Sequence, residues 1–536
     1  MNDFGARVQE IAARFPEPRS AIIPALRLAQ QENGGWLSTE SFERVGDALG
    51  LTPAYCHAVA SFYDMFHLAP VGRHLVEVCT NLSCALSGAQ QVVDAFESEL
   101  GVAPGETTSD GAVTLRTVEC LGGCGYAQVP KARAMSPDDL IAELQKATLR
   151  GRGGAGFPMG RKASLVDRKS PKPKYVVVNA DESEPGAFKD REVMARVPHR
   201  LLEGCLIAAH AIEAKDVFVY IRGEYLTEYE ILQRALEEAE AAGLFGDVRV
   251  TVYRGAGAYI CGEETALLDS LEGRRGQPRP RPPFPPVQGL YGAPTQINNV
   301  CTIATVPAIL ELGAEEFTKV GTPGSPGTVI FSVSGNVERP GNYELELGTS
   351  MRELIYTCAG GIEDGRQLKA VIPGGSSVPA LSPSQIDVPL DFDSLGAIGT
   401  FFGAASLIVV DERCCMVQLA LRSTKFYMHE SCGKCTPCRE GTRWVVQLLE
   451  KIEAGEGEQA DLELLRRVCD RIEGKSLCAL GDFAVWPVQS YMEKWGDEFV
   501  AHVEGGRCPF GGESSLEGIV APSDQHTHAP VAEVPA

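Results

Sequence analysis

The sequence predicts a multidomain protein of α/β and α+β units that ends in a helical bundle. The chain has 536 residues, which corresponds to roughly three to four domains of ordinary size. Strand and helix patterns alternate over residues 150–320, as they do in a sheet that is covered by helices. Apolar residues then recur at helical spacing over residues 413–503, which predicts a bundle.

Before residue 150, the sequence predicts short helices followed by a small α/β unit. Ile22, Leu26 and Ala29 lie at helical spacing, and helices are expected up to about residue 70. The pattern then changes to apolar and β-branched runs on either side of a helical segment. The strand, helix and strand are predicted at residues 74–79, 90–100 and 112–118.

The largest predicted unit follows a helix that begins at the N-cap residue Ser136 and ends at the glycines from Gly151 onward. No flexible linker separates this unit from the preceding one. Its strands and helices alternate, which predicts an α/β sandwich. The strands are predicted at residues 175–179, 217–221 and 248–254, and the helices at 201–211 and 228–242.

Three further segments complete the chain. Residues 327–410 predict a small α+β unit with a strand at 328–334, and Ser350 with Glu353 predicts a capping box that opens a helix. Residues 413–503 form the predicted bundle. From residue 505 onward the chain is rich in Gly, Ser, Pro and His, which predicts a disordered tail.

Charge and hydropathy exclude two classes of partner. The formal net charge is −22, which repels phosphate backbones and argues against a nucleic-acid partner. The longest apolar stretch, residues 395–410, is shorter than the roughly 20 residues that span a bilayer, so no direct membrane insertion is expected. The first residues do not form a secretory signal, which predicts a cytoplasmic protein. Seventeen cysteines in such a protein indicate metal binding more than disulfides.

One group of cysteines has the spacing of a [4Fe–4S] site. Cys432, Cys435 and Cys438 lie in CGKCTPC, and Cys478 follows after a predicted helical hairpin. Three close thiolates with a remote fourth can wrap a cubane cluster. A zinc site also uses four cysteines and is the alternative, although zinc sites more often pair two CxxC motifs.

A second group has the spacing of a [2Fe–2S] site. Cys79 and Cys84 form one pair, and Cys120 and Cys124 form another. Each pair can hold one iron of a two-iron cluster, and the spacings do not fit paired zinc motifs. The nine remaining cysteines are predicted to be mostly buried, small apolar residues.

A glycine-rich loop and two acidic segments predict a nucleotide site. RGRGGAGFPMG at residues 150–160 offers many backbone N–H groups, which can cradle a phosphate or lie against a flat ring. A plain turn is the alternative. NADESEPG and YICGEET each follow a predicted strand and supply carboxylates suited to ribose hydroxyls and a flavin edge. A hydrolase with paired carboxylates would have a similar composition, but hydrolysis needs no iron–sulfur clusters.

A proline-rich segment, RPRPPFPP, lies within residues 279–286. Such a segment can form a polyproline helix that docks into a partner. Because it stands between two parts of the predicted site, a rigid clasp that holds Phe284 against a ring is the preferred interpretation.

These motifs resemble a known family. From about residue 149 to 498 the chain resembles the flavoprotein subunit of respiratory complex I, the NADH:quinone oxidoreductase. The resemblance is carried by GRGGAGFP, NADESEPG, KDRE, GCLIAA, RGAGAYICGEETAL, PPFP, INNV, IPGGSS, HESCGKCTPCREGT and CALGD. From about residue 15 to 129 the chain resembles the small [2Fe–2S] subunit of that enzyme, through SFYDMF, CTNLSC and CLGGCG. The chain thus looks like a fusion of two bacterial subunits.

The resemblance implies six segments. They are an N-terminal helical domain (1–72), a thioredoxin-like [2Fe–2S] ferredoxin domain (73–133), an FMN- and NADH-binding α/β domain (134–325), a small β-grasp-like domain (326–412), a helical bundle with the [4Fe–4S] cluster (413–504) and the tail (505–536).

The resemblance also implies FMN, NADH, a [2Fe–2S] cluster and a [4Fe–4S] cluster. Positions that match the FMN site are Gly151, Gly153, Gly154, Lys162, Asn179, Asp181, Glu182, Tyr259, Gly262, Glu263, Asn298 and Asn299. Positions that match the NADH site are Phe157, Glu184, Glu264 and Phe284, of which Glu184 and Glu264 are the expected catalytic residues. Arg152 and Arg281 are also expected to bind a cofactor, and Arg281 replaces the lysine that is usual in the family.

The implied function is that of an NADH dehydrogenase module, which passes electrons from NADH through FMN to the [4Fe–4S] cluster and on towards quinone. Its implied partners are other peripheral-arm subunits, especially the large iron–sulfur subunit, on the cytoplasmic face of the bacterial inner membrane. One alternative is the diaphorase module of a soluble NAD-linked hydrogenase or formate dehydrogenase. Another is a non-catalytic electron-transfer subunit.

Overall fold

The computed structural model describes residues 4–63, 65–79, 89–118, 130–241, 243–511 and 514–516. The chain begins with four helices that pack around one apolar cluster. Thr39–Leu49 starts at Ser38, whose side chain accepts a hydrogen bond from the Ser41 N–H in a capping box. The helices are α1 (Phe4–Ala12), α2 (Ile22–Glu32), α3 (Thr39–Leu49) and α4 (Pro53–Ala60).

A small α/β unit follows, as predicted. Its two strands pair in parallel, and the helix between them packs against both. The elements are β1 (His74–Cys79), α5 (Ala89–Leu100) and β2 (Val113–Val118). Two helices then lead into the next unit, α6 (Pro130–Arg133) and α7 (Pro137–Lys146). Helix α7 begins after Ser136, whose side chain accepts a hydrogen bond from the Asp139 N–H.

The largest unit is built on a four-stranded parallel sheet in the order β5-β4-β3-β6. The predicted strands and helices are confirmed, with ends that differ by at most three residues. The elements are α8 (Met159–Ser164), β3 (Tyr175–Ala180), α9 (Asp190–Arg196), α10 (Pro198–Ile212), β4 (Asp216–Ile221), α11 (Leu226–Ala241), β5 (Arg249–Arg254), α12 (Glu264–Leu271), α13 (Pro285–Gln288), β6 (Thr295–Asn299), α14 (Val300–Leu312) and α15 (Ala314–Phe317).

The two faces of this sheet are covered by different parts of the chain. Alternate residues of a strand point to opposite faces. Val176 and Val178 pack with α10 and α14. Tyr175 and Val177 pack instead with the N-terminal helices, in the same cluster as Leu26. The N-terminal helices therefore supply one layer of the sandwich, which the sequence did not indicate.

A small α+β unit follows, as predicted. Its four-stranded sheet has the order β10-β9-β12-β11, in which only the central β9–β12 pair is parallel. The elements are β7 (Gly321–Thr322), β8 (Ser325–Pro326), β9 (Thr328–Gly335), β10 (Gly341–Glu346), α16 (Met351–Glu353), β11 (Leu368–Ile372), α17 (Phe392–Ala397) and β12 (Ser406–Asp411).

The capping box predicted at Ser350 is wrong. Ser350 occupies the N-cap position, but its side chain accepts no capping hydrogen bond. The helix is only three residues long and continues as a π-helical turn, Leu354–Cys358. The backbone at the start of the helix is bonded to a neighbouring segment instead: the Met351 N–H donates to the Val388 carbonyl at 3.0 Å. That pairing replaces the side-chain cap.

Five helices form the predicted bundle and pack around a shared core. They are α18 (Met416–Glu430), α19 (Thr436–Glu453), α20 (Gln459–Ile472), α21 (Leu480–Lys494) and α22 (Gly496–Gly505). The apolar residues that recur at helical spacing point inward, since Val445, Leu449, Leu462 and Leu465 are buried. No helix among the described residues is both long enough and apolar enough to cross a membrane.

The prediction of a disordered tail is wrong for its first part. Residues 505–511 and 514–516 are described, and the side chains of Cys508 and Phe510 pack against the core of the bundle. Leu516 is buried in the core of the bundle, and the Ser514 hydroxyl accepts a hydrogen bond from the Cys415 N–H at 3.3 Å. These contacts hold a segment whose composition alone suggested disorder. Residues 512–513 and 517–536 of the predicted tail lie outside the described residues.

Candidate functional site

The candidate nucleotide site lies at the carboxyl edge of the large sheet. Chain order reverses between β3 and β6, and a crevice at such a point is where α/β sheets bind ligands. The register places Asn179 of β3 opposite Asn299 of β6, one residue beyond the pair of Val178 and Asn298. Asp181 follows β3 directly, and its backbone N–H donates to the Asn179 side chain at 3.1 Å. Four polar side chains thus meet at one edge.

The glycine-rich loop is docked onto this edge. The Gly151 N–H donates to the Phe157 carbonyl at 3.1 Å, and the Arg152 N–H donates to the Thr302 hydroxyl at 2.8 Å. At Gly153 a Cβ atom would lie 2.9 Å from the Cβ of Asn299. Only glycine allows the loop to approach the end of β6 this closely.

The side chain of Arg152 is buried and contacts the start of the small α+β unit. It is 1% exposed, and its Nη2 donates to the Pro326 carbonyl at 3.2 Å. Burial lowers the pKa of Arg152 to about 10, so the guanidinium is still charged at neutral pH. The role expected for Arg152 in cofactor binding stays a prediction.

Charged side chains and two exposed aromatic rings form the rim of the crevice. Glu264 bridges two cations, because its carboxylate oxygens lie 3.3 Å from Lys162 Nζ and 3.0 Å from Arg281 Nη1. Phe284 is 54% exposed and Phe157 is 39% exposed. Exposed aromatic rings beside charged groups are suited to stack on a planar ligand.

Glu184 is held by residues from two other parts of the chain. One carboxylate oxygen accepts a hydrogen bond from the Tyr259 hydroxyl at 2.8 Å, and the other accepts from the Ser377 N–H at 2.9 Å. The Ser376 hydroxyl donates a longer bond, 3.4 Å. The resemblance had included the IPGGSS block, which contains both serines, but the local pattern assigned them no role in the site.

Both carboxylate oxygens of Glu182 accept hydrogen bonds from other groups of the protein. Its carboxylate accepts hydrogen bonds from the backbone N–H groups of Lys189 and Asp190, each at 2.9 Å, and from the Tyr225 hydroxyl at 3.0 Å. The Lys189 ammonium lies 3.0 Å from Asp190 and 3.8 Å from Glu182, and all three side chains are buried. Asp190 in turn accepts a hydrogen bond from the Asn299 side chain at 2.5 Å. This buried network positions Asn299 at the crevice.

Burial changes the protonation of two carboxyl groups at this edge. Loss of solvation raises the pKa of Asp181 to about 7 and that of Glu184 to about 7, although hydrogen bonds from Ser183 and Tyr259 oppose the shifts. Both groups therefore change charge near neutral pH.

These shifts predict a pH dependence of stability in the flavin-free protein. Because the folded chain holds two protons that the unfolded chain releases above about pH 4, the free energy of unfolding falls as the pH rises towards 7. Urea midpoints between pH 4.5 and 7.5 measure this slope. Glu184→Gln should flatten the slope, whereas the surface substitution Glu237→Gln should not. An equal slope in both variants would contradict the assignment.

The four cysteines predicted to bind the cubane cluster line one pocket. Cys432 lies in the loop between α18 and α19, Cys435 is the N-cap residue of α19, and Cys438 lies in the first turn of α19. Cys478 comes from the segment before α21. The pocket has a volume of about 260 Å³, including solvent at its mouth, and its wall is completed by Ile260, Pro278, Ser431, Lys434, Leu477 and Leu480.

The chemistry of this pocket fits an iron–sulfur cluster. Burial raises the pKa of Cys438 to about 12 and that of Cys478 to about 12 in the cluster-free chain. Thiolates this deeply placed need cations to compensate their charge, which cluster iron supplies. The Leu477 N–H also points at the Cys435 sulfur at 3.5 Å, as expected around a cluster.

A short segment joins the crevice to the cysteine pocket. The 3-10 turn Tyr259–Gly262 places the Tyr259 hydroxyl on Glu184, while Ile260 lines the cysteine pocket. Glu263 then caps α12 by accepting hydrogen bonds from the Thr265 and Ala266 N–H groups, each at 2.9 Å. The Gly262 carbonyl accepts from the Asn179 side chain at 2.8 Å. The two sites are therefore separated by only one turn of backbone.

The cysteines predicted to hold the [2Fe–2S] cluster stay a prediction. Cys79 is the last residue of β1, but its side chain is outside the described part of the structure. Cys84, Cys120 and Cys124 also lie outside the described residues.

Four protein families match successive parts of the chain. They are the thioredoxin-like [2Fe-2S] ferredoxin (residues 8–149), the Nuo51 FMN-binding domain (144–308), the SLBB domain (330–380) and the NADH-ubiquinone oxidoreductase-F iron-sulfur binding region (418–502). These matches confirm the predicted FMN, [2Fe–2S] and [4Fe–4S] units and the predicted fold class.

Curated relatives and a solved structure agree with these families. The F subunit of NADH-quinone oxidoreductase from Mycobacterium bovis is 52% identical over 404 residues, which is 73% of this chain and 91% of the relative. The corresponding subunit from Streptomyces coelicolor is 52% identical over 394 residues, or 72% and 88% of the two chains. A chain of the NAD+-reducing [NiFe]-hydrogenase in the air-oxidized state superposes with a TM-score of 0.81 at 30% identity, covering 89% of this chain and 93% of that chain.

The relatives share most of their own length with this chain, and the family matches account for both cluster-binding units and the flavin unit. The chain therefore belongs to the family of NADH-quinone oxidoreductase F subunits, and its first part matches the thioredoxin-like [2Fe-2S] ferredoxin family.

Proposed function

We propose that this chain is the NADH dehydrogenase module of an NADH-quinone oxidoreductase. It binds NADH and FMN at the carboxyl edge of the large sheet and delivers electrons to a [4Fe–4S] cluster at Cys432, Cys435, Cys438 and Cys478. The observation that carries the proposal is the single turn, Tyr259–Gly262, that separates the nucleotide crevice from the cysteine pocket. Bound FMN supplies the chemistry that converts a two-electron hydride into single electrons.

The crevice offers what a flavin nucleotide requires. The loop that contains Gly151, Gly153 and Gly154 carries little side-chain bulk, and its backbone approaches the end of β6 at Gly153. Helix α14 begins directly at this edge, after Asn299 as its N-cap, and a helix N-terminus favours a phosphate. Asn179, Asp181 and Asn298 supply polar groups for the ring edge and the ribityl hydroxyls.

Four residues that match the FMN site make their described contacts with other residues of the protein. Glu182 holds the buried network that positions Asn299, Glu263 caps α12, and Tyr259 orients Glu184. Gly262 keeps its carbonyl on Asn179. We assign these residues to building the crevice, so their replacement would change its shape before it changed a ligand contact.

NADH is placed by the rim. Phe157 and Phe284 stack on its flat rings and exclude water, while Glu184 and Glu264 accept hydrogen bonds from hydroxyl groups. Arg281 holds Glu264 at 3.0 Å and also lies near Phe284, with 6.0 Å between the guanidinium carbon and the ring centroid. The raised pKa of Glu184, about 7, lets this carboxyl group be present in both charge states near neutral pH.

The variant Glu184→Ala tests whether Glu184 binds NADH or FMN. We expect the KM for NADH to rise by roughly tenfold or more, which is the size of one lost hydrogen bond to a charged group, while FMN content is unchanged. The measurement is steady-state NADH oxidation together with flavin quantified after denaturation. The matched control is Glu203→Ala, which removes another buried glutamate from α10, away from the crevice. Loss of FMN with an unchanged KM for NADH would show that the Glu184 carboxylate binds FMN and not NADH.

The enzymatic activity is tested with the isolated full-length chain. Reduction of ferricyanide by NADH should proceed when FMN and both clusters are present. Absence of turnover in such a preparation would support a non-catalytic electron-transfer subunit instead and would overturn the proposal.

We also propose the place of the module in its assembly. The relatives are named as subunits of NADH-quinone oxidoreductase, so we infer that this chain binds other peripheral-arm subunits, in particular a large iron–sulfur subunit. The module would then lie on the cytoplasmic face of the bacterial inner membrane through that complex. A tagged pull-down from solubilised membranes should recover a large cluster-bearing subunit together with membrane subunits.

One observation favours a second candidate. The similar chain of the NAD+-reducing [NiFe]-hydrogenase covers 89% of this chain, which includes much of the N-terminal part as well as the flavin unit. The diaphorase module of a soluble hydrogenase would have that organisation. Recovery of a nickel-containing subunit from the soluble fraction, without membrane subunits, would establish this candidate in place of the first.

A further inference from the structure

Four metal-binding side chains converge at the end of the bundle that is remote from the cysteine pocket. Cys415 precedes α18, Glu453 ends α19, His502 lies in α22, and Cys508 follows it. One ligand atom from each side chain lies within 4.8 Å of all the others. Cys415 and His502 are buried, and Glu453 and Cys508 are half-buried. None of the four belongs to the [4Fe–4S] pocket.

The histidine ring is already oriented as a metal ligand. Its Nδ1 lies 2.7 Å from the Glu498 carbonyl oxygen, which can only accept, so Nδ1 carries the proton. In the neutral ring Nε2 then presents its lone pair, which points at the Glu453 carboxylate at 3.2 Å and at the Cys415 sulfur at 3.5 Å. Metal-ligating histidines commonly donate their other N–H to a carbonyl in this way.

The inner carboxylate oxygen of Glu453 faces the same point. Glu453 Oε2 is buried without a hydrogen bond, whereas its Oε1 accepts from the Gln418 side chain at 2.8 Å. Gln418 also lies 4.0 Å from the Cys508 sulfur. A proton on His502 Nε2 could reach only Glu453 and Cys415. A cation at the centre would satisfy all four inner atoms.

We propose that Cys415, Glu453, His502 and Cys508 bind one zinc ion. Two thiolates, one imidazole and one carboxylate form a tetrahedral set of the kind that zinc prefers. Ligands at about 2.0–2.3 Å from zinc stand roughly 3.3–3.8 Å apart. The two contacts of His502, 3.2 and 3.5 Å, already match that spacing.

The protons and charges of zinc binding can be accounted for in full. Zn²⁺ replaces one proton on each cysteine thiol and leaves a site of net charge −1, with no change in oxidation state. Because all four positions are filled by protein, the site is structural and holds no open position for a substrate. It joins Cys508 to the start of α18, and so fixes the segment around Ser514 and Leu516 against the bundle.

Elemental analysis of the as-purified full chain is the first test, and it does not depend on NADH activity. We expect about one zinc per chain in addition to cluster iron. Cys508→Ala should lose the zinc and keep the iron, whereas the matched control Cys358→Ala, at a half-buried cysteine in the small α+β unit, should keep both. Cys478→Ala should lose about four iron atoms per chain and keep the zinc, which would exclude zinc trapped in the cluster pocket.

X-ray absorption at the zinc edge tests the ligand set without relying on variants. The proposal expects about two sulfur atoms near 2.3 Å and two nitrogen or oxygen atoms near 2.0 Å. Four sulfur neighbours, or zinc retained in Cys508→Ala, would place the metal elsewhere and overturn the assignment. A zinc-free chain with a disulfide between Cys415 and Cys508, detected by mass spectrometry, would also overturn it.

Discussion

Replacing Cys478 with alanine is expected to remove the [4Fe–4S] cluster and abolish electron delivery beyond the flavin. Cys478 is the only one of the four pocket cysteines that comes from outside the segment of residues 432–438, so its loss disconnects the cluster from α21. Three thiolates then remain where a cubane requires four. Iron content should fall by about four atoms per chain, and transfer to the partner complex should fall to background.

The matched control is Cys469→Ala, at a buried cysteine of α20 in the same bundle but outside the pocket. This variant should retain its iron, the low-temperature electron paramagnetic resonance signal of the reduced cluster, and electron transfer. FMN content should be unchanged in both variants, because the pocket and the crevice are built by different residues. A Cys478 variant that keeps the full iron content and signal would show that another residue completes the cluster.

Replacing Lys189 with methionine is expected to destabilise the flavin unit by about 3–5 kcal/mol, because it leaves buried carboxylates without their cation. Lys189 is 1% exposed and lies between Asp190 and Glu182. Burial alone would lower the pKa of Lys189, but the neighbouring acidic groups, Asp190 foremost among them, together outweigh burial and raise it. Since Asp190 also holds Asn299, FMN should dissociate more readily as well.

A surface pair provides the control for this prediction. Lys215 forms an ion pair with Asp247, and both side chains are largely exposed. Lys215→Met should therefore change stability by less than about 1 kcal/mol. The urea midpoint, followed through release of flavin fluorescence, measures both variants. Equal midpoints for the two variants would show that Lys189 does not compensate the buried carboxylates.

The strands of the large sheet could be predicted because their signal is local. Residues 175–178 are a continuous apolar run, which is typical of a parallel strand buried on both faces. The cysteine pocket could be predicted for the same reason, since three of its members lie in one short motif. The sequence also indicated the polar residues at the ends of β3 and β6, because carboxyl ends of parallel strands meet at one edge.

Contacts between distant segments could not be predicted in this way. Nothing in the local pattern says that Ser376 and Ser377 reach Glu184, or that the N-terminal helices cover the sheet, because tertiary packing sets these contacts. The sequence indicates the cluster around His502 only weakly. Five residues separate His502 from Cys508, and zinc ligands often have such a spacing. Its other members, Cys415 and Glu453, are remote in sequence, so the signal was incomplete.

The shared core of the N-terminal helices and the large sheet has a consequence for assembly. Leu26 and Val177 belong to one apolar cluster, so the two parts must meet before either buries its surface. If the two parts were separate polypeptides, their association would cost translational and rotational entropy, and they would dissociate on dilution. On one polypeptide the encounter is intramolecular, with an effective concentration set by the connecting chain and not by expression level. The fusion therefore fixes a one-to-one stoichiometry of the two parts at any cellular abundance.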